Sequence, residues 1–175
     1  MIKTTNRINL KNHWLLLMVF MGMMVFSQNP TRIYQGFTQT NQQLEVITNE
    51  GTYRIKPYNN FIVETSFIPN GETFNPNSHA VVLNPQQLNL KIKQNQHEIM
   101  LITNGISVKI NKSPFKISYF FKDKELISEK MGYQKSEKSF QLDFNITSDE
   151  VLFGGGARVL GMNRRGHKLQ LYNRA

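Results

Sequence analysis

The 175-residue chain has no cysteine, which excludes a disulfide framework, a thiolate metal site and a lipid-modified cysteine. Its four histidines, His13, His79, His97 and His167, lack any ligand spacing such as H-x3-H, so no metal is expected. Acids are scarce, with 12 Asp+Glu against 21 Lys+Arg and a formal charge of +9. The basic excess is spread along the sequence rather than packed into a run, so no nucleic-acid partner is expected. Beyond the first 27 residues no stretch shows the 3.6-residue period of an amphipathic helix.

What is present begins with an address. Residues 1–13 carry Lys3, Arg7 and Lys11 without an acid, and the thirteen residues from Trp14 to Phe26 carry no charge. Ser27 and the polar Gln28-Asn29-Pro30 follow. A basic start, an apolar middle and a small exit residue predict a signal peptide over residues 1–27, cut near Ser27–Gln28, although Val25 is larger than the usual residue at that place. The alternative is an uncleaved anchor, but thirteen residues make only about 20 Å of helix against a ~30 Å hydrocarbon core. No stable membrane insertion is expected, and the protein is expected to be exported, to a periplasm or the outside. Without Lys3, Arg7 and Lys11, 18 basic residues face 12 acids, a net of about +6.

Residues 28–40 read as a linker, and from residue 41 onward the apolar residues recur with period two between Gly, Pro, Asn and Asp. Strands are predicted at 44–48 and 52–56, the latter ended by Pro57, which cannot donate to a ladder. Another covers 61–68, and the polar, turn-rich 72–78 reads as a loop. A short or edge strand is expected at 79–83, stopped by Asn84-Pro85, and a half-buried strand at 88–92. Residues 98–103 are apolar on both faces, which suits the middle of a sheet. Asn104-Gly105 predicts a hairpin turn with positive φ at both residues, returning through 106–110. Further strands are expected at 115–121, 125–128, 140–146 and 168–172. About a dozen short strands without a helix describe an all-β, antiparallel β-sandwich.

The chemistry of catalysis is not visible. Acid–base catalysis by carboxyl groups, for instance, needs two of them held close together in environments that keep one protonated. The acids here mostly fall at turns or on wet strand faces, and none sits in a motif. The run Gly154-Gly155-Gly156 with Gly161 resembles a phosphate cradle, but Val159 stands where G-x-G-x-x-G needs glycine. No cofactor is expected. His167, alone among arginines, reads as a surface or interface residue.

The most distinctive stretch is residues 153–175, with three consecutive glycines, four arginines and no carboxylate. By residue type it is either an ordinary loop with a last strand or a hydrogen-bonding surface that needs acidic or polar partners from elsewhere. The order Phe-Gly-x-Gly-x-Arg, short loop, Arg-Arg-Gly, strand, Tyr-Asn-Arg resembles the close of the N-terminal β-sandwich domain of glycoside hydrolase family 31, the α-glucosidases, α-xylosidases and their relatives. The earlier strands, Gly51 to Ile55 with Phe61 to Val63 and the pair around Lys112-Ser113-Pro114, resemble the same domain.

The resemblance implies a galactose mutarotase-like sandwich over 41–175, cut short at its C-terminal end. It also implies a role in carbohydrate metabolism beside a catalytic barrel that this chain lacks. Both catalytic aspartates of the family lie on that barrel, so no catalytic residue is assigned here and the chain alone should be inactive. Asn173 and Arg174 match positions near the family's sugar pocket and are the candidates for carbohydrate binding. Ala175 stands where some members have a substrate-binding aspartate. Arg158, Arg164 and Arg165 are the candidates for the domain interface, where they would meet carboxylates. The implied partners are an oligosaccharide substrate of the full-length enzyme and the barrel itself. The alternative, from a different class, is a free-standing secreted sandwich that binds a surface glycan or a protein.

Overall fold

The computed structural model describes residues 31–40, 42–77, 81–157 and 159–170. The expected signal peptide lies outside the described residues. Ten strands form two antiparallel sheets, and there is no helix among the described residues. The first sheet has the order β1 (Tyr34–Gln39), β2 (Leu44–Thr48), β3 (Gly51–Asn59), β4 (Ile62–Pro69). The second runs β10 (Phe140–Asn145), β9 (Lys124–Lys135), β8 (Phe115–Phe121), β7 (Ile106–Lys112), β6 (Glu98–Ile102), β5 (Lys91–Gln94). Within each sheet every strand pairs with its sequence neighbours, so both sheets are simple meanders that need only short turns.

Period-two burial makes the core. Tyr53 and Ile55 of β3, Leu44 and Val46 of β2, Ile99 and Leu101 of β6, Val108 and Ile110 of β7, and Ile117 of β8 are buried on one face of their strands. Each such side chain contributes roughly 1.5–3 kcal/mol of transfer free energy. The two sheets meet through the rings of Tyr53 and Phe115, 5.2 Å apart, and through Tyr119, whose hydroxyl donates to Thr65 Oγ1 at 2.7 Å. Burial pushes the Tyr119 phenol up to about 12, so it stays a donor at any ordinary pH.

Several expectations are corrected. Residues 28–40, read as a linker, contribute β1, which pairs with β2. Pro57 does not end its strand: β3 continues to Asn59 and pairs Pro57 with Val63. The ladder with β2 has already stopped at Ile55, so a nitrogen without a proton is tolerated on that open side. The strand expected over 88–92 starts only at Lys91; of the strand expected at 79–83, residues 81–83 form none, and 79 and 80 lie outside the described residues. Residues 168–170, expected to open a last strand, are not in a sheet; 171 and 172 lie outside the described residues. Strand β6 stands second from an edge, and its outer face, Met100 and Ile102, is only half-buried.

The Asn104-Gly105 hairpin forms, with Ile102 opposite Ser107, but neither turn residue has positive φ. The turn that does is Lys122-Asp123, at φ 46° and 65°. Gly105 is required for another reason: a Cβ there would lie 2.3 Å from the Asn60 carbonyl oxygen. That oxygen accepts from Ile106 N at 2.7 Å and Thr103 Oγ1 at 2.9 Å, tying the β3–β4 turn of one sheet to the β6–β7 turn of the other.

The second sheet is wider than the first. Phe140, Leu142 and Phe144 of β10 stand opposite Lys135, Tyr133 and Glu129 of β9, and so share the face that looks toward the first sheet. They are nevertheless exposed, at 78%, 51% and 39%, because the four-stranded sheet does not reach them.

Candidate functional site

After β10 the chain leaves the sheets, and the glycine-arginine segment is organised around Arg164. Its Nε donates to the Gly154 carbonyl at 2.9 Å, one terminal nitrogen to Gly156 O at 3.0 Å, and the other to Gly161 O. Its backbone N–H reaches Leu152 O at 2.7 Å. Arg165 donates to the carbonyls of Thr147 at 2.6 Å and Glu150 at 3.1 Å, and Asn163 Oδ1 accepts from the backbone N–H groups of Leu152 and Arg165. The glycine run thus supplies carbonyls, presented by three residues with positive φ, and the arginines occupy them.

Of the five residues singled out from the sequence, Arg164 and Arg165 are brought together here, with backbone rather than carboxylate partners. Arg158, Asn173 and Arg174 lie outside the described residues. His167 closes the segment through its backbone N–H on Arg164 O at 3.1 Å. Around this frame Phe153, Val159 and Met162 project outward, with exposures of 69% or more.

A second polar cluster was missed from the sequence. Arg32, just before β1, has a side chain only 2% exposed. Its Nε and one terminal nitrogen bind Glu50 Oε2 at 3.0 and 2.7 Å; that terminal nitrogen also reaches the Tyr133 carbonyl, and the other meets the Tyr53 hydroxyl. The guanidinium lies over the Phe67 ring, 4.7 Å from its centre. Glu50 and Tyr53 belong to the first sheet and Tyr133 to the second, so one arginine links them. Glu129 of β9 faces the same point: a Cβ on Gly132 would lie 3.1 Å from both Arg32 Nη1 and Glu129 Oε2. Burial pushes the Glu129 carboxyl up to about 7, opposed by the Arg32 charge and a backbone hydrogen bond from Ile117. Burial and the Glu129 carboxylate likewise raise the Tyr53 phenol.

Glu129 was expected among the wet surface acids and is instead buried, at 5% exposure. The one signal was Gly132, since glycine inside a strand marks a bulge or a close approach; β9 does shift register there, between the pairs of Asp143 and Phe144. Chemically the cluster holds two sheets together. Glu129 is turned inward onto Arg32, not across an open site from a second acid. Among the described residues no group of three or more His, Asp or Glu could hold a metal.

Comparison with known proteins fits this architecture. A family model, the glycosyl hydrolase 31 N-terminal galactose mutarotase-like domain, matches residues 43–175. The chain belongs to this family. Its sequence is 24% identical over 140 residues to Alpha-glucosidase 2 of Bacillus thermoamyloliquefaciens, covering 78% of this chain and 18% of that protein. Its fold resembles a GH31 dextranase of Flavobacterium johnsoniae solved with isomaltotriose, with a TM-score of 0.69, 20% identity and 78% and 18% of the two chains covered. An uncharacterized protein of Listeria monocytogenes EGD-e is similar at a TM-score of 0.58 and 16% identity, over 77% and 14% of the chains. This family 31 N-terminal domain therefore spans about a fifth of the relatives it matches.

Proposed function

We propose that the chain serves as the non-catalytic N-terminal sandwich of an exported α-glycosidase, supporting a catalytic barrel and helping to shape its sugar pocket. The observation that carries this reading is the family match over residues 43–175. The glucosidase and the dextranase that resemble the chain are both far longer proteins. In this reading Asn173 and Arg174 lie toward the carbohydrate, while Arg158, Arg164 and Arg165 belong to the surface that meets the barrel. Export rests on residues 1–27. The substrate is an oligosaccharide handled by the complete enzyme, with the two catalytic carboxylates coming from the barrel.

The exposed apolar row of β10 and the outward Phe153, Val159 and Met162 favour this over a free-standing glycan- or protein-binding module, which would close its own core. The test is hydrolysis of aryl α-glycosides by the purified mature chain, alone and as part of a polypeptide that carries a family 31 barrel. Activity is expected only in the second case. Turnover by the chain alone, free of contaminating hydrolase, would sink the proposal.

A further inference from the structure

Two carboxyl groups face one buried guanidinium, and only one of them holds it. Arg32 donates to Glu50 Oε2 through Nε at 3.0 Å and through a terminal nitrogen at 2.7 Å. Glu129 is in no ion pair among the described residues. Yet Glu129 Oε2 and Arg32 Nη1 both lie 3.1 Å from the point where Gly132 would carry a Cβ. They are therefore within about 6 Å of each other, close enough for opposite charges to act strongly. Because residue 132 is glycine, no side chain fills the gap between them; the Tyr53 hydroxyl, 3.3 Å from the same point, borders it.

The two acids differ in what they lose without Arg32. The Glu50 side chain is 35% exposed and also accepts from Thr31 Oγ1 at 2.9 Å, so water and Thr31 remain to it. Glu129 is buried, and a buried carboxylate is costly unless it is paired. Few groups surround it. From β8 the Ile117 backbone N–H donates to it, and the phenols of Tyr119 on β8 and Tyr53 on β3 are both raised by burial and stay neutral. Phe144 of β10 stands opposite it, and Phe67 of β4 lies under the guanidinium; neither titrates. Arg32 is the cation whose charge reaches it.

We propose that Arg32 is a proton-controlled clasp: it holds Glu50 while Glu129 is protonated, and turns across the Gly132 gap to pair with Glu129 when that carboxyl ionises. The exchange moves the arginine's grip. In the first state Arg32 ties the β2–β3 turn, through Glu50, to the Tyr133 carbonyl on β9. In the second it holds β9 at its bulge and leaves Glu50 to Thr31 and water. Burial pushes the Glu129 carboxyl up to about 7, which centres the exchange near neutral pH. Nothing in it depends on the glycosidase reading.

The test is nuclear magnetic resonance of the full chain, comparing through-space cross-peaks from the Arg32 Hδ protons to Glu50 Hγ and to Glu129 Hγ. Spectra are taken at about pH 5.5 and about pH 8.5, on either side of the Glu129 midpoint. The Glu50 cross-peak should dominate at the lower pH, and its ratio to the Glu129 cross-peak should fall about ten-fold or more at the higher. Glu129→Gln, which cannot ionise, should keep the low-pH ratio throughout. A constant ratio in the parent overturns the exchange, and so does loss of the Glu50 cross-peak with no gain at Glu129. An equal change in Glu129→Gln would show that Glu129 is not the trigger and would overturn it as well. The amide signals of β6 and β7 report whether the sandwich is folded. Their collapse in the parent at the higher pH would show that ionised Glu129 breaks the fold rather than recruiting Arg32, which also ends the proposal.

Discussion

Two arginines mark two different ways of ordering a chain. Arg32 lies between the sheets, takes a carboxylate, a phenol and a carbonyl from distant strands, and is buried. Arg164 lies in the segment after β10 and takes carbonyls from Gly154, Gly156 and Gly161, all within ten residues of itself. The sandwich is held by burial, with a polar clamp set into it. The glycine-rich end is held by hydrogen bonds, with its apolar residues outside. The first arrangement draws its partners from both sheets; the second, among the described residues, draws them from its own loop.

The sharpest break of that comparison is Arg32→Ala. It leaves the buried Tyr53 hydroxyl, the Tyr133 carbonyl and the Glu129 carboxyl without the guanidinium, and removing one partner of a buried charged cluster typically costs about 3–5 kcal/mol. Because Glu50 is partly exposed, about 3 kcal/mol is expected here, read as a shift of the urea midpoint at unchanged slope. Arg32→Lys should recover less than half of it, since one ammonium cannot serve three diverging acceptors. A loss below about 1 kcal/mol would show that the sheets do not depend on this link.

A smaller effect, and a signed one, concerns Glu129. Its folded pKa of about 7 stands above the ordinary 4.5. Between those values the unfolded chain releases a proton that the folded chain keeps, so this group's contribution to stability falls as pH rises from about 4.5 to 7 and is level above. The loss across that window is at most roughly 3 kcal/mol. Glu129→Gln should match the parent near pH 4, exceed it at pH 8, and lack that slope. The difference between the two stability curves isolates Glu129 from the other acids, and two parallel curves would show that the carboxyl is not held protonated.

These residues show where a sequence stops being legible. The all-β class and the antiparallel meander follow from alternation, because each burial choice is made within a few neighbouring residues: Val108 and Ile110 announce their own face. The Asn104-Gly105 turn was legible as a turn but not in its conformation, since the demand on Gly105 comes from Asn60, 45 positions away in the other sheet. Arg32 and Glu129 were read as linker and wet surface for the same reason. Apart from Gly132, nothing in their local sequence records that β1, β3 and β9 converge on them. Pro57 misled because its effect depends on whether a neighbouring strand is still present, which is a property of the sheet.

The smallest expected effect falls at Arg164. Its partners are backbone carbonyls in a solvent-facing segment, where water replaces a lost donor at little cost. Arg164→Ala should therefore change the stability of the sandwich by less than about 1 kcal/mol, in contrast to Arg32→Ala. The local consequence should be larger. Without the guanidinium the carbonyls of Gly154, Gly156 and Gly161 are no longer drawn to one point, and residues 152–167 should open far more often than the sheets do. Limited proteolysis reads this directly: cleavage within that segment should accelerate several-fold while cleavage in the strands stays at the parental rate. If Arg164→Ala instead lowers global stability as much as Arg32→Ala, the glycine-rich end is part of the sandwich's cooperative unit. The contrast between burial-held and hydrogen-bond-held regions then fails.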